Sequence, residues 1–154
     1  MSRPSPPAPP ASPPGAPPPV AGVLESALYA RDLDAAARFW GEVIGLERIA
    51  FVPGRHVFFR CGGRVLLVFD PRATRHPPDP AARLPVPPHG AEGPGHFCLA
   101  AAPDQIEPWR RHLLSRGVAI EADFNWPQGG RSIYFRDPAG NSIEIADPAI
   151  WRRR

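Results

Sequence analysis

Residues 130–148 have the sequence GRSIYFRDPAGNSIEIADP, in which two strand-like segments flank a turn. The segment SIYFR is rich in β-formers, DPAGN is a cluster of turn residues, and SIEIA alternates between polar and apolar. In a strand, this alternation places Glu144 on one face and its neighbours Ile143 and Ile145 on the other. Burying a carboxylate is costly unless it is paired or coordinated. Glu144 is therefore the first candidate functional residue.

The same strand–turn–strand pattern occurs earlier in the chain. GRHVFFR at residues 54–60 matches GRSIYFR at residues 130–136, and each copy continues through a Gly-containing turn and an apolar strand to Asp-Pro. Before each copy, alternation predicts a strand and apolar residues at helical spacing predict a helix, with a further strand after it. The chain is therefore predicted to be an α+β protein made of two βαβββ modules.

The predicted domain covers residues 22–148, and the chain on either side of it is predicted to be tail. Residues 1–21 are rich in Pro, Ala and Ser and have almost no large apolar side chain, which predicts a disordered segment. The remaining predicted boundaries are module 1 at 22–71, a Pro-rich linker at 72–92, module 2 at 93–148 and a basic C-terminal tail at 149–154.

Composition excludes several classes of function. The 154-residue chain has a net charge of +3 and no Lys, so Schiff-base lysines and P-loop chemistry are excluded. The Arg residues are scattered outside the C-terminal tail, which argues against nucleic acid as a partner. There is no membrane-spanning run or signal-peptide core, so we expect a cytoplasmic protein that does not bind membranes. Cys61 and Cys98 fall within predicted strands and are expected to be buried thiols rather than part of a disulfide framework.

Aligning the two modules brings three ionisable side chains to equivalent strands. Glu25 takes the position of His96, and Leu67 takes the position of Glu144. Alternation places Glu25, His96 and Glu144 on the sheet face away from the helices, among small residues, which predicts a cavity. One imidazole and two carboxylates suit a divalent ion such as Mn²⁺, Fe²⁺, Co²⁺, Ni²⁺ or Zn²⁺. The alternative is a metal-free cup in which Glu25 and His96 are hydrogen-bonded.

Five other side chains are weaker candidates for the same pocket. His56 faces either the cavity or solvent, and His89 in the linker either closes over the site or lies at the surface. Cys98 would lie beside His96, as a nucleophile if a base activates it or otherwise as a small buried residue. Trp126 and Tyr134 either line the pocket or serve in packing.

Four motifs give the chain a resemblance to a known family: LYARDL at 28–33, FWGEVIGL at 39–46, GPGHF at 93–97 and DPAGNSIE at 137–144. With these motifs the chain resembles the vicinal oxygen chelate superfamily, which includes glyoxalase I, extradiol dioxygenases, fosfomycin-resistance thiol transferases and bleomycin-binding proteins. The resemblance implies two βαβββ modules forming a cupped mixed sheet around a metal that is chelated by two adjacent substrate oxygens. It also implies a homodimer.

Carried over by position, His96 and Glu144 match the ligand positions of this family. Glu25 stands where His is more common, and Leu67 stands where some members have a further carboxylate. The resemblance therefore implies a metal-dependent enzyme, similar to a glyoxalase, thiol transferase or dioxygenase, that acts on a small oxygenated molecule. In that enzyme Glu25 or Glu144 would also act as general base. The alternative is a non-catalytic module that binds a small molecule or drug, as bleomycin-resistance proteins do.

Overall fold

The computed structural model describes Gly15 and residues 17–152. Most of the predicted tail at residues 1–21, and the last two residues of the predicted tail at 149–154, lie outside this part of the chain. Residues 17–21 are exposed and belong to no helix or strand. No helix within the described residues is long and apolar enough to cross a membrane.

Eight strands form two separate four-stranded mixed sheets. The first sheet consists of β1 (Glu25–Tyr29), β2 (Glu47–Val52), β3 (His56–Cys61) and β4 (Arg64–Phe69), in the order β1-β4-β3-β2. The second consists of β5 (His96–Ala100), β6 (Ala122–Asn125), β7 (Arg131–Arg136) and β8 (Ser142–Ala146), in the order β5-β8-β7-β6. In each sheet the first strand runs parallel to the fourth and the other neighbours are antiparallel. The predicted α+β fold with two βαβββ modules is confirmed.

The helices are short and connect the strands of each module. The helices are α1 (Leu33–Arg38), which continues as a π-helical turn at Phe39–Val43, α2 (Pro71–Thr74) and α3 (Ile106–Ser115). There are also two 3₁₀ turns, Pro103–Gln105 and Pro148–Trp151. Asp32 caps α1, because its side chain accepts a hydrogen bond of 2.8 Å from the Ala35 amide. The last 3₁₀ turn buries Ile150, so the predicted C-terminal tail begins with a packed segment.

One hydrophobic core is shared by both modules. Trp40, at the end of the first module's helix, contacts Phe97 of β5 at 5.9 Å between ring centroids, and Phe39 contacts Phe135 of β7 at 6.4 Å. The helical segment of module 1 therefore packs on the second sheet, and buried residues of both sheets belong to the same cluster. Each sheet consequently turns its other face, which we call its outward face, away from this core.

The turn between β7 and β8 also holds the modules together. The buried carboxylate of Asp137 accepts hydrogen bonds of 2.9 Å from the amides of Ala139 and Asn141 and from Asn141 Nδ2. Asn141, itself buried, donates to the Tyr29 carbonyl at 3.3 Å and accepts from the Gly95 amide at 2.8 Å. Because β1 ends at Tyr29 and β5 begins just after Gly95, this one amide fixes the end of module 1 against the start of module 2.

We expect Asn141→Ala to reduce the free energy of unfolding by about 2–4 kcal/mol, because it leaves the buried Asp137 carboxylate and the Gly95 amide short of partners. Urea unfolding followed by circular dichroism measures this. The matched control is Asn125→Ala at an exposed strand end, which should change stability by less than about 0.5 kcal/mol. Equal effects of the two substitutions would contradict the proposed role of Asn141.

Candidate functional site

The outward face of the second sheet carries most of the predicted site. Cys98 of β5 pairs with Glu144 of β8 in the strand register, and Tyr134 of β7 pairs with Glu144 from the other side. His96 is two residues before Cys98 and therefore shares its face. Ile143 and Ile145 point into the core, as the alternation predicts. The structure therefore brings His96, Cys98, Tyr134 and Glu144 together.

Glu144 is the buried member of this group. Its side chain is 6% exposed, whereas that of His96 is 54% exposed, and His96 Nε2 lies 3.4 Å from Glu144 Oε2. The other carboxylate oxygen, Oε1, is buried and has no hydrogen-bond partner among the described residues. A buried carboxylate oxygen without a partner among the described residues is unfavourable, and a bound cation or an additional donor would satisfy it.

The tautomer of His96 determines which of its ring nitrogens carries a proton and which faces Glu144 with a lone pair. His96 Nδ1 lies 3.1 Å from the carbonyl oxygen of Ser142, and a carbonyl only accepts, so Nδ1 carries the proton in this contact. In the neutral ring, Nε2 then has a lone pair directed towards the Glu144 carboxylate. Two acceptors facing one another at this distance repel unless a proton or a metal ion lies between them. The pair therefore has the donor set of a partial metal site.

Cys98 and Tyr134 remain protonated beside this carboxylate. Cys98 as a whole residue is exposed, so the expectation of a buried residue is wrong. Partial burial of its thiol, with a further contribution from the negative charge of Glu144, nevertheless raises the pKa of the Cys98 thiol to about 12. Burial and Glu144 likewise raise the pKa of the Tyr134 hydroxyl to about 12. Since the thiolate is the nucleophilic form, Cys98 is poorly suited to nucleophilic catalysis in this environment.

An aromatic row extends from His96 across the second sheet. The Tyr134 ring stacks on the His96 ring at 6.2 Å, Phe124 stacks on Tyr134 at 5.8 Å, and Trp126 meets Phe124 edge-on at 5.1 Å. Trp126 Nε1 donates to Ser132 Oγ at 2.8 Å, which fixes the indole. Trp126 and Tyr134 thus lie in one row with His96. Phe124 was missed as a site residue, although its place at the end of a predicted strand was a usable signal.

Glu25 and His56 lie on the first sheet, apart from this group. Glu25 is exposed at the start of β1, opposite Val65, and His56 starts β3, opposite Phe69. Within residues 17–152, no three His, Cys, Asp or Glu side chains lie close enough together to hold a metal ion. The structure therefore does not bring Glu25 together with His96 and Glu144 inside one chain.

His56 belongs to a second cluster of rings, on the outward face of the first sheet. Its imidazole stacks on Phe58 at 4.0 Å and meets Phe69 edge-on at 5.9 Å. His89, from the linker, lies over the same face: its ring meets Phe69 at 4.6 Å, and its Nδ1 is 3.0 Å from the Tyr29 hydroxyl. The linker has no periodicity that would have placed His89, so only its residue type drew attention to it.

Comparisons with a family model and with solved structures agree on one family. A family model described as the Glyoxalase/Bleomycin resistance protein/Dioxygenase superfamily matches residues 22–145. The crystal structure of lactoylglutathione lyase from Agrobacterium tumefaciens is 42% identical, with a TM-score of 0.82, and the match covers 88% of this chain and 99% of that one. No curated protein matches the chain.

Two more distant structures have the same fold. A glyoxalase/dioxygenase from Nostoc punctiforme is 25% identical, with a TM-score of 0.59, over 83% of this chain and 92% of that one. A glyoxalase/bleomycin resistance protein/dioxygenase from Nocardioides is 23% identical, with a TM-score of 0.64, over 82% of each chain.

The raised pKa of Cys98 predicts that its thiol reacts slowly with alkylating reagents. In metal-free protein carrying Cys61→Ser, we expect iodoacetamide at pH 8 to alkylate Cys98 at least about tenfold more slowly than free cysteine, whose pKa is about 8.5. Adding Glu144→Gln should lower the pKa and accelerate alkylation, because it removes the adjacent negative charge. Rates at a series of pH values, followed by mass spectrometry, measure both effects. A rate equal to that of free cysteine and insensitive to Glu144→Gln would show that the carboxylate does not control the thiol.

Proposed function

Because this chain belongs to the Glyoxalase/Bleomycin resistance protein/Dioxygenase superfamily, we propose that it is a divalent-metal-dependent enzyme acting on a small molecule with two adjacent oxygen atoms. The observation that carries this proposal is the pair formed by His96 Nε2 and Glu144 Oε2, which lie 3.4 Å apart beside a second carboxylate oxygen without a partner among the described residues. An imidazole nitrogen and carboxylate oxygens are a donor set that fits a divalent cation.

His96 and Glu144 would hold the ion, with Glu25 as the third protein ligand. Imidazole nitrogen and carboxylate oxygen are acceptable ligands for Mn²⁺, Fe²⁺, Co²⁺, Ni²⁺ and Zn²⁺, so the ligands leave the choice among these metals open. When bound, such an ion acts as a Lewis acid that polarises the substrate oxygens. Three protein ligands leave coordination positions for both of those oxygens.

The complete site requires two copies of the chain. His96 and Glu144 lie on the outward face of the second sheet and Glu25 on that of the first, while the shared core occupies the inner faces of both. In a two-fold symmetric dimer, the first sheet of one copy can face the second sheet of the other. That arrangement would bring Glu25 of one copy to His96 and Glu144 of the other, and it would form two equivalent sites.

The chemistry best suited to these side chains is proton transfer next to a carbonyl group. A carboxylate, Glu25 or Glu144, would take the proton from a hydroxyl-bearing carbon beside the carbonyl and return it to the carbonyl carbon. The hydroxyl proton would move to the former carbonyl oxygen, so that the substrate is isomerised without an oxidant. The stacked Tyr134 ring would hold the His96 imidazole in place. The similarity to lactoylglutathione lyase favours a lyase of this kind over a thiol transferase or a dioxygenase.

A second candidate function is binding without catalysis. The stacked row of His96, Tyr134 and Phe124, with Trp126 at its end, presents flat apolar surface suited to a planar ligand. Phe69 on the first sheet would add a further ring in the dimer. A protein with this function would bind its ligand in a fixed ratio, without turnover, and binding would be unaffected by chelators.

We expect the purified protein, after supplementation, to contain about one divalent ion per chain. Glu144→Ala and His96→Ala should each lose most of this metal, because each removes one of the two ligands that the second sheet would provide. Elemental analysis after gel filtration measures the content. Glu42→Ala, at an exposed position in the π-helical turn, is the matched control and should retain the metal. Wild-type protein that takes up no divalent ion would rule out the metal-dependent function.

A further inference from the structure

Five rings form a cluster on the outward face of the first sheet. Three of them follow the strand register, since Tyr29 of β1 lies opposite Phe69 of β4, which lies opposite His56 of β3. Phe58 meets Phe69 edge-on at 5.2 Å and stacks on His56, and His89 covers Phe69 from the linker. All five side chains are half-buried, so each keeps part of its surface accessible. We call these residues the aromatic cluster.

The His56 ring is an uncharged member of this cluster. Its Nδ1 is buried and has no hydrogen-bond partner within the described part of the chain. An imidazolium would bury an unpaired N–H donor at that position, which is unfavourable. Burial, and secondarily the charge of Arg55, also lower the pKa of His56. The ring therefore serves as a flat neutral surface, and its stacking on Phe58 extends that surface.

The linker fixes His89 in position over the cluster. The His89 amide donates to the Thr74 carbonyl at 2.9 Å, and the His89 ring is hydrogen-bonded to the Tyr29 hydroxyl. Further along, Arg75 and Glu92 form an ion pair of 2.8 Å that ties the end of the linker back to the residue after α2. His89 is thus held at both the backbone and the side chain, and the cluster has a defined wall on its linker side.

The aromatic cluster lies on the same face of the first sheet as the proposed metal ligand Glu25. Glu25, Ala27 and Tyr29 share the outward face of β1, and the four residue steps from Glu25 to Tyr29 span roughly 13 Å. Phe58 lies in the row of Ala27, about halfway along that distance. Ala27, Leu67 and Phe58 form the row that lies between the proposed ligand Glu25 and the row of Tyr29, Phe69 and His56.

We propose that the aromatic cluster is a subsite for a planar aromatic substituent of the substrate, and that the substrate class is therefore an aryl-substituted molecule with two adjacent oxygens at its other end. The subsite rests on the proposed function, since Glu25 marks where those oxygens would lie. Rings that meet edge-on and stacked offer both geometries that aromatic groups prefer, which favours a flat ring over a saturated one.

Two matched probes test this proposal: (biphenyl-4-yl)glyoxylate and (4-cyclohexylphenyl)glyoxylate, which share the same dicarbonyl end and first ring and differ only in whether the distal ring is aromatic. Isothermal titration calorimetry with the metal-loaded protein measures both affinities. We expect the biphenyl probe to bind about threefold to tenfold more tightly, although its distal ring is the less hydrophobic of the two.

Variants then assign that preference to the cluster. Phe58→Leu keeps an apolar side chain but removes a central ring, so the ratio of the two affinities should fall to about one while the cyclohexyl probe still binds. The control is Trp151→Leu, at an aromatic residue that is 84% exposed and outside the cluster, which should keep the wild-type ratio. Thermal melts of each variant establish that it is folded.

Failure of this proposal and failure of the proposed function give different results. Equal affinities for the two probes, both abolished by a chelator, would overturn the aryl subsite and leave the metal-dependent function intact. Unchanged affinities after chelation would overturn the metal-dependent function, whichever probe binds better. Equal affinities together with loss of the dimer in Phe58→Leu would overturn the subsite and assign the cluster to contact between copies of the chain.

Discussion

The buried carboxylate of Glu144 is the constraint on which the rest of the site depends. It lies on a strand between Cys98 and Tyr134, is 3.4 Å from His96 Nε2, and has one oxygen without a partner in the described chain. Its negative charge contributes to the raised pKa values of both neighbours. Retaining such a group is unfavourable for a fold that needs only stability, because an apolar side chain would pack there at lower cost. A bound cation would offset this cost by pairing with the carboxylate, and its binding would stabilise the folded protein.

The shared core decides where the remaining parts of the site can lie. Because Trp40 and Phe39 pack on rings of the second sheet, the inner faces of both sheets are buried against helices of the chain. The outward faces carry the ionisable side chains and the aromatic rings, and neither face is covered by the other within the described residues. In the proposed dimer, a second copy of the chain would provide a surface of the required kind, since each copy has one face of each type.

Much of this arrangement follows from the sequence because strands have a period of two. The repeat at residues 54–60 and 130–136 predicted the two modules, and alternation placed His96, Cys98 and Glu144 on one face with Ile143 and Ile145 on the other. Both conclusions depend only on local backbone geometry. The sequence therefore predicted correctly which of these residues of the second sheet share a face.

The sequence could not predict which faces meet. Alternation identifies the inner face of each sheet but not the helix that packs on it. The contact between Trp40 and Phe97 could therefore not be predicted from the sequence. For the same reason, the separation of Glu25 from His96 could not be predicted. The place of His89 was equally inaccessible, because it depends on tertiary contacts of an irregular linker with Thr74 and Tyr29. Single buried contacts at long sequence separation leave no periodic trace in the chain.

Subunit complementation tests the two-copy site most directly. Glu25→Ala and His96→Ala are co-expressed with different tags, and the metal content of the mixture is compared with that of each variant alone. Random pairing gives about half mixed dimers, each with one intact site of two, so the account predicts that the mixture regains about one quarter of the wild-type metal content. A mixture that binds no more metal than the average of the two variants would contradict it.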